Sequence, residues 1–104
     1  MNNLVYLIGR LTDDPEIKTI SEGKSRLIIN VEVPRTFKNE EGIYEVDIIE
    51  CTLWNNIAKN VSEYCKKGAL VGIKGRVQTR TNNEKRIIEI ITEKVSFLSS
   101  KKED

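Results

Sequence analysis

The chain has 104 residues, of which 38% are hydrophobic and 32% charged, and its 17 basic and 16 acidic side chains leave a net charge of +1. That length and balance fit one soluble domain able to bury its own core. No apolar run approaches the ~20 residues of a membrane span, and the absence of histidine removes the usual acid–base group of neutral-pH catalysis.

Met1-Asn2-Asn3-Leu4-Val5 carries no cationic segment ahead of its apolar stretch, so no signal peptide is read and a cytoplasmic, nucleoid-associated location is expected. Leu4 to Leu11 forms an apolar run that Asp13-Asp14-Pro15 ends as a turn. Glu16 to Ile20 reads as a strand or as the continuation of the first, followed by a turn at Ser21-Glu22-Gly23-Lys24. Leu27, Ile29, Val31 and Val33 then alternate with Arg26, Ile28, Asn30 and Glu32, the pattern of a half-buried strand, which Pro34 is expected to stop. After a polar loop from Lys38 to Gly42, Tyr44 to Trp54 reads as strand. Ile49, Cys51 and Leu53 fall on one face, and Ile48, Glu50, Thr52 and Trp54 on the other.

Asn56 to Lys67 is read as a helix, because Ile57, Ala58, Val61, Tyr64 and Cys65 recur at helical spacing and Gly68 offers a stop. Leu70 to Arg80 returns to strand, Thr81 to Lys85 to turn, and Ile87 to Leu98 is a final strand whose uneven alternation predicts a bulge. Residues 1–98 make the domain and 99–104 a short polar tail. An all-β chain of this order, with one helix between the third and fourth of five strands, matches the OB fold, a five-stranded Greek-key barrel. Order alone leaves other small barrels open.

Little here could carry catalysis. Asp13-Asp14 sits before proline, where carboxylates build turns, and Gly72-Ile73-Lys74-Gly75-Arg76 lies in a strand pattern, unlike a phosphate loop. Cys51 and Cys65 stand fourteen positions apart without a second pair. That spacing holds no zinc, so both are read as small buried hydrophobes. No catalytic residue, metal, cofactor or small-molecule substrate is expected.

The charges are segregated along the chain. Seven bases face one acid between Lys66 and Arg86, whereas five acids and no base lie between Glu40 and Glu50. Alternation places Lys74, Arg76 and Arg80 on one face of their strand, at ~6.6 Å per two-residue step. Such a rail suits a stretched phosphate backbone, and single-strand binders pair it with rings on which bases stack. Trp54, opposite the core set of its strand, is one candidate ring, with a core or subunit-contact role as its alternative. Phe37, between Arg35 and Lys38, is the other, with a hydrophobic loop anchor as its alternative.

Several segments carry a resemblance. They are Asn3 to Thr12, Asp14-Pro15-Glu16, Arg35-Thr36-Phe37, Asp47 to Trp54, Tyr64 to Gly68 and Leu70 to Arg80. In their joint order and spacing the sequence resembles the bacterial single-stranded DNA-binding proteins from Asn3 to Leu98. The resemblance implies an OB fold that assembles as a homotetramer, built from dimers, with single-stranded DNA wrapped over it. It also implies stacking by Phe37 and Trp54, with Arg35, Lys38, Lys74, Arg76 and Arg80 as phosphate ligands.

Two departures matter. Family members commonly carry an aromatic where this chain has Ile48 and another after Gln78-Thr79-Arg80, where it has Thr81-Asn82 in a shortened loop; Glu50 adds a like charge. Weaker or shorter-footprint binding is expected. The chain also ends at Lys101-Lys102-Glu103-Asp104, without the long tail and acidic tip with which replicative members dock partner enzymes. Either a tail has been removed or the short form is natural, and in the second case it looks like the tail-less paralogues of DNA uptake, plasmids or phages. The expected function is sequence-independent coating of single-stranded DNA in replication, recombination, repair or uptake. The competing expectation is an OB-fold protein–protein module with a weakened nucleic-acid face.

Overall fold

A computed structural model describes residues 1–99. The elements are β1 (Val5–Leu11), β2 (Lys18–Ser21), β3 (Lys24–Lys38), β4 (Tyr44–Trp54), α1 (Asn55–Tyr64), β5 (Leu70–Asn82) and β6 (Lys85–Ser99). The strands hydrogen-bond in the order β1-β5-β6-β4-β3-β2, and a second contact between β1 and β3 joins the two sides. Five strands therefore close into a barrel, with β2 hung on the outside of β3. The closing pairs are few. Arg10 and Leu11 oppose Glu32 and Val31, while β4 and β6 meet in parallel at Thr52 and Ile91. With β2 outside the circuit, α1 lies between the third and fourth barrel strands, as the sequence order requires.

Alternation explains which side chains fill the barrel. Leu27, Ile29 and Val31 of β3, Cys51 and Leu53 of β4, and Val71 and Ile73 of β5 are all buried, each two residues from the next. Ala58 and Val61 of α1 plug one end, joined by Leu11, Cys65 and Ala69. Burial and the nearby Glu50 charge push the Cys51 thiol up to about 11. Burial also raises Cys65.

Two glycines mark the seams. A Cβ at Gly9 would strike the Glu32 carbonyl and the Val31 side chain, at the β1–β3 contact. A Cβ at Gly75 would strike the Ile91 carbonyl, where β5 crosses the β6 strand that reaches β4. Both are close backbone approaches that a side chain would prevent. Asn3 extends β1 by imitation: its side-chain amide donates to the Val77 carbonyl at 2.7 Å and accepts from the Val77 N–H at 2.8 Å.

Several boundaries differ from the sequence expectation. Pro34 does not stop β3, which runs on to Lys38. Past Glu32 this strand is paired with β4 alone, so a residue lacking an N–H is tolerated, with an irregular register from Pro34 to Lys38. The helix ends at Tyr64, three residues before the expected Lys67. Cys65 there turns extended and buries, its N–H still bonded to the Val61 carbonyl at 2.9 Å. The last hairpin turns tightly on Asn83 and Glu84, whose φ of 52° and 65° mark a two-residue primed turn, so both strands run further than Arg80 and Ile87. The expected bulge in β6 is present, and there are two, since the register with β5 slips once beside Glu93 and once beside Leu98. Ser99 ends β6 instead of opening a tail; the rest of that expected tail, 100–104, lies outside the described residues. No helix of the described residues is long and apolar enough to cross a membrane.

Candidate nucleic-acid interface

Outward-facing side chains follow the same alternation as the core, in the opposite phase. Cross-strand register puts Ile28 of β3, Thr52 of β4, Ile91 of β6 and Arg76 of β5 in one row across four strands. Opposed residues share a face, so the Trp54 end of β4 and the cations of β5 lie on one continuous outer surface.

Trp54 is half-buried at the junction of β4 and α1. The junction is pinned because Asn55, at φ 56°, accepts a hydrogen bond on Oδ1 from the Ser25 N–H at 3.0 Å. Around the indole the fold gathers cations that no linear pattern singles out. Lys24 Nζ stands 5.0 Å from the ring centroid, within cation–π range. Arg26 is the cross-strand partner of Trp54, and Lys18 is the partner of Arg26 on the next strand. Among the described residues none of these three cations is in a salt bridge. A groove of about 410 Å³ runs beside them, lined by Lys18, Arg26 and Ile28 with Asp13, Asp14 and Glu16. The signal for Arg26 was present in its phase, which it shares with the outward positions of β3. Lys18 and Lys24 became neighbours only through pairing.

The β3–β4 hairpin presents rings and a locked arginine. Phe37 is 63% exposed and Tyr44 55% exposed, and Lys38 Nζ lies 5.6 Å from the Tyr44 ring. Tyr44 is an exposed ring that the sequence pattern assigned to no role. Arg35 donates from Nε and Nη2 to the two oxygens of Asp47 at 3.1 and 2.9 Å, and from Nη1 to Glu45 at 2.7 Å. This fork holds the Asp47 carboxyl below its ordinary value and the Arg35 guanidinium above its own, by hydrogen bond first and charge second. Ile48 is 55% exposed and aliphatic.

The β5–β6 arm, beyond Val77, stands clear of the barrel and is exposed throughout on β5. Lys74 faces outward opposite Lys94 and makes no ion pair among the described residues. Arg76 is paired through Nε with Glu93 at 3.2 Å and donates from Nη1 to Gln78 at 2.6 Å. Arg80 Nε donates to Glu89 at 2.7 Å. The basic run from Lys66 to Arg86 is therefore not one patch. Lys66 and Lys67 belong to the loop after α1, where the Lys67 N–H bonds Asp14 at 2.7 Å, and β6 supplies acids to the arginines.

The chain and its fold have known counterparts. The model of the single-strand binding protein family matches residues 2–98. The chain belongs to the single-strand binding protein family. It is 45% identical over 97% of its length to single-stranded DNA-binding protein 3 of Listeria innocua, of which it spans 66%. It is 42% identical over 97% of its length to single-stranded DNA-binding protein B of Bacillus subtilis, spanning 94% of that protein. In three dimensions it resembles a crystallised deletion variant of the single-stranded DNA binding protein from Thermus aquaticus, with a TM-score of 0.79 and 25% identity over 94% of this chain and 51% of that one. The residues matched by the single-strand binding family run from ahead of β1 to the penultimate residue of β6, and so take in the whole barrel.

Proposed function

We propose that this chain binds and coats single-stranded DNA without sequence preference, in replication, recombination, repair or DNA uptake in the cytoplasm, and that it catalyses no reaction. The observation that carries this reading is the half-exposed indole of Trp54 among Lys18, Lys24 and Arg26, cations that no acid neutralises in a salt bridge among the described residues. Cations draw the strand in and hold its phosphates, and Trp54 and Phe37 then stack bases, each stack worth ~1–3 kcal/mol. Every base offers a π-face, so sequence tolerance follows. Lys38 and Lys74 extend the cationic path toward the two hairpins, and Arg35, Arg76 and Arg80 join it where their carboxylates let go.

The working unit in this proposal is a homo-oligomer, a tetramer built from dimers. Its support is the outer face of β1, where Leu4, Tyr6 and Ile8 are exposed on a strand that is paired on its far side only at Arg10 and Leu11. Light scattering on the purified chain gives the stoichiometry.

Titrating oligo-dT while following tryptophan emission tests the function. Quenching with salt-dependent affinity is the expected result. A flat trace and no affinity would favour the protein–protein module, whose support is Glu50 and the ion-paired arginines.

A further inference from the structure

Of the four arginines proposed to hold phosphates, Arg35, Arg76 and Arg80 are already held by carboxylates, while Arg26 and the lysines form no salt bridge among the described residues. On the β5–β6 arm the partners are Glu89 for Arg80 and Glu93 for Arg76, both supplied by β6 through the hairpin register. These contacts occupy Nε, one edge of the donor fork that would meet a phosphate. Glu89 is the more enclosed acid, its side chain 23% exposed, against 49% for Glu93, which sits at a bulge.

Exposed ion pairs of this kind add little to stability, so holding the hairpin together is a weak reason for them. Their effect on a bound strand is larger. An arginine that exchanges a carboxylate for a phosphate leaves the carboxylate to collect a solvent cation, so the contact releases almost no counterion on balance. Each free cation that meets a phosphate releases its share in full, with a slope of ~0.7 on single strands.

We infer that Glu89 and Glu93 set the footprint of the strand-binding face, as built-in phosphate surrogates that occupy the arginines of the arm and limit tight capture to the Trp54 end. This rests on the single-strand reading above. The length of DNA held at moderate salt is then set by how readily these two acids yield, and the salt slope counts the free cations alone.

The experiment measures anisotropy of labelled oligo-dT from about 4 to about 16 nucleotides, the span of one OB domain, over a salt series. The proteins are the natural chain, Glu89→Gln, Glu93→Gln, Arg80→Gln with Glu89→Gln, and Glu63→Gln on α1 as a charge-matched control, each checked by circular dichroism. Glu89→Gln and Glu93→Gln should leave the shortest oligomer unaffected, tighten the longest by roughly two- to fivefold each, and steepen the salt slope by ~0.7 per phosphate gained. The gain should vanish when Arg80→Gln is added to Glu89→Gln, and Glu63→Gln should show none. Unchanged or weaker binding, an equal gain in Glu63→Gln, or a gain that survives without Arg80 would overturn the inference while leaving strand binding intact. If Glu89→Gln fails to fold, Glu93→Gln carries the same test. Absence of binding by the natural chain at every length would instead sink the single-strand reading, and this inference with it.

Discussion

The Trp54 end and the β5–β6 arm occupy the same outer surface but treat charge in opposite ways. At the Trp54 end, Lys18, Lys24 and Arg26 come together from two strands and form no salt bridge among the described residues, and one of them rests near the indole. On the arm, Arg76 and Arg80 are matched by Glu93 and Glu89 at 3.2 and 2.7 Å. A formal count of cations would rank the arm first. The arrangement ranks it second: Asp13, Asp14 and Glu16 also line the groove beside Lys18 and Arg26, but they form no salt bridge there among the described residues, and a charge matched at contact distance contributes less to attracting another. What matters for an anionic strand is where the cations are left unanswered.

That contrast breaks most readily at the ring. Trp54→Ala should weaken oligo-dT binding by ~1–3 kcal/mol with the thermal melt retained, and an equal loss from Arg80→Gln would erase the difference between the two regions. Replacing Lys18, Lys24 and Arg26 together by Gln should come next, lowering the salt slope by up to ~0.7 for each phosphate no longer neutralised. A slope that does not move would place the working cations elsewhere. Arg80→Gln alone should change affinity by less than about 0.5 kcal/mol, as expected for an exposed pair whose partner is left in water.

Titration offers finer tests. The Asp47 carboxyl is held low by Arg35, so its contribution is present above the ordinary carboxylate range and is lost as pH falls through its folded value. Carboxyl NMR should find the Asp47 midpoint below 3.8, and Arg35→Gln should bring it back. The Cys51 thiol shifts the other way. Its stabilising effect is full below 9 and declines as pH rises toward about 11, and at pH about 8 a thiol reagent should label it only when the barrel unfolds.

How much of this was legible beforehand follows from the range of each signal. The core could be read from β3 and β4, where Leu27, Ile29 and Val31, and then Cys51 and Leu53, recur at every second position, although Thr52 and, on β5, Gly72 are buried out of phase. The outward phase of Trp54 came from the same rule. Pro34 misled, because the penalty for a missing N–H depends on whether a partner strand is there to be denied, and that is a property of the sheet. The helix end misled for a similar reason: burial of Cys65 outweighed the stop expected at Gly68. On β5 the even phase of Lys74, Arg76 and Arg80 was correct, but their partners lie past a turn and, for Glu93, at a bulge, which shifts register in a way no period reveals.

By itself, then, the order of residues determined the five barrel strands short of some of their ends, most of their inward and outward faces, and the family, since the strand pattern depends on neighbours a few positions apart. Only the closed barrel decided which cations stand free and which are answered. Salt bridges are short-range contacts between side chains distant in the chain, and pairing of β2 with β3, β3 with β4 and β5 with β6 is what brings those side chains within reach.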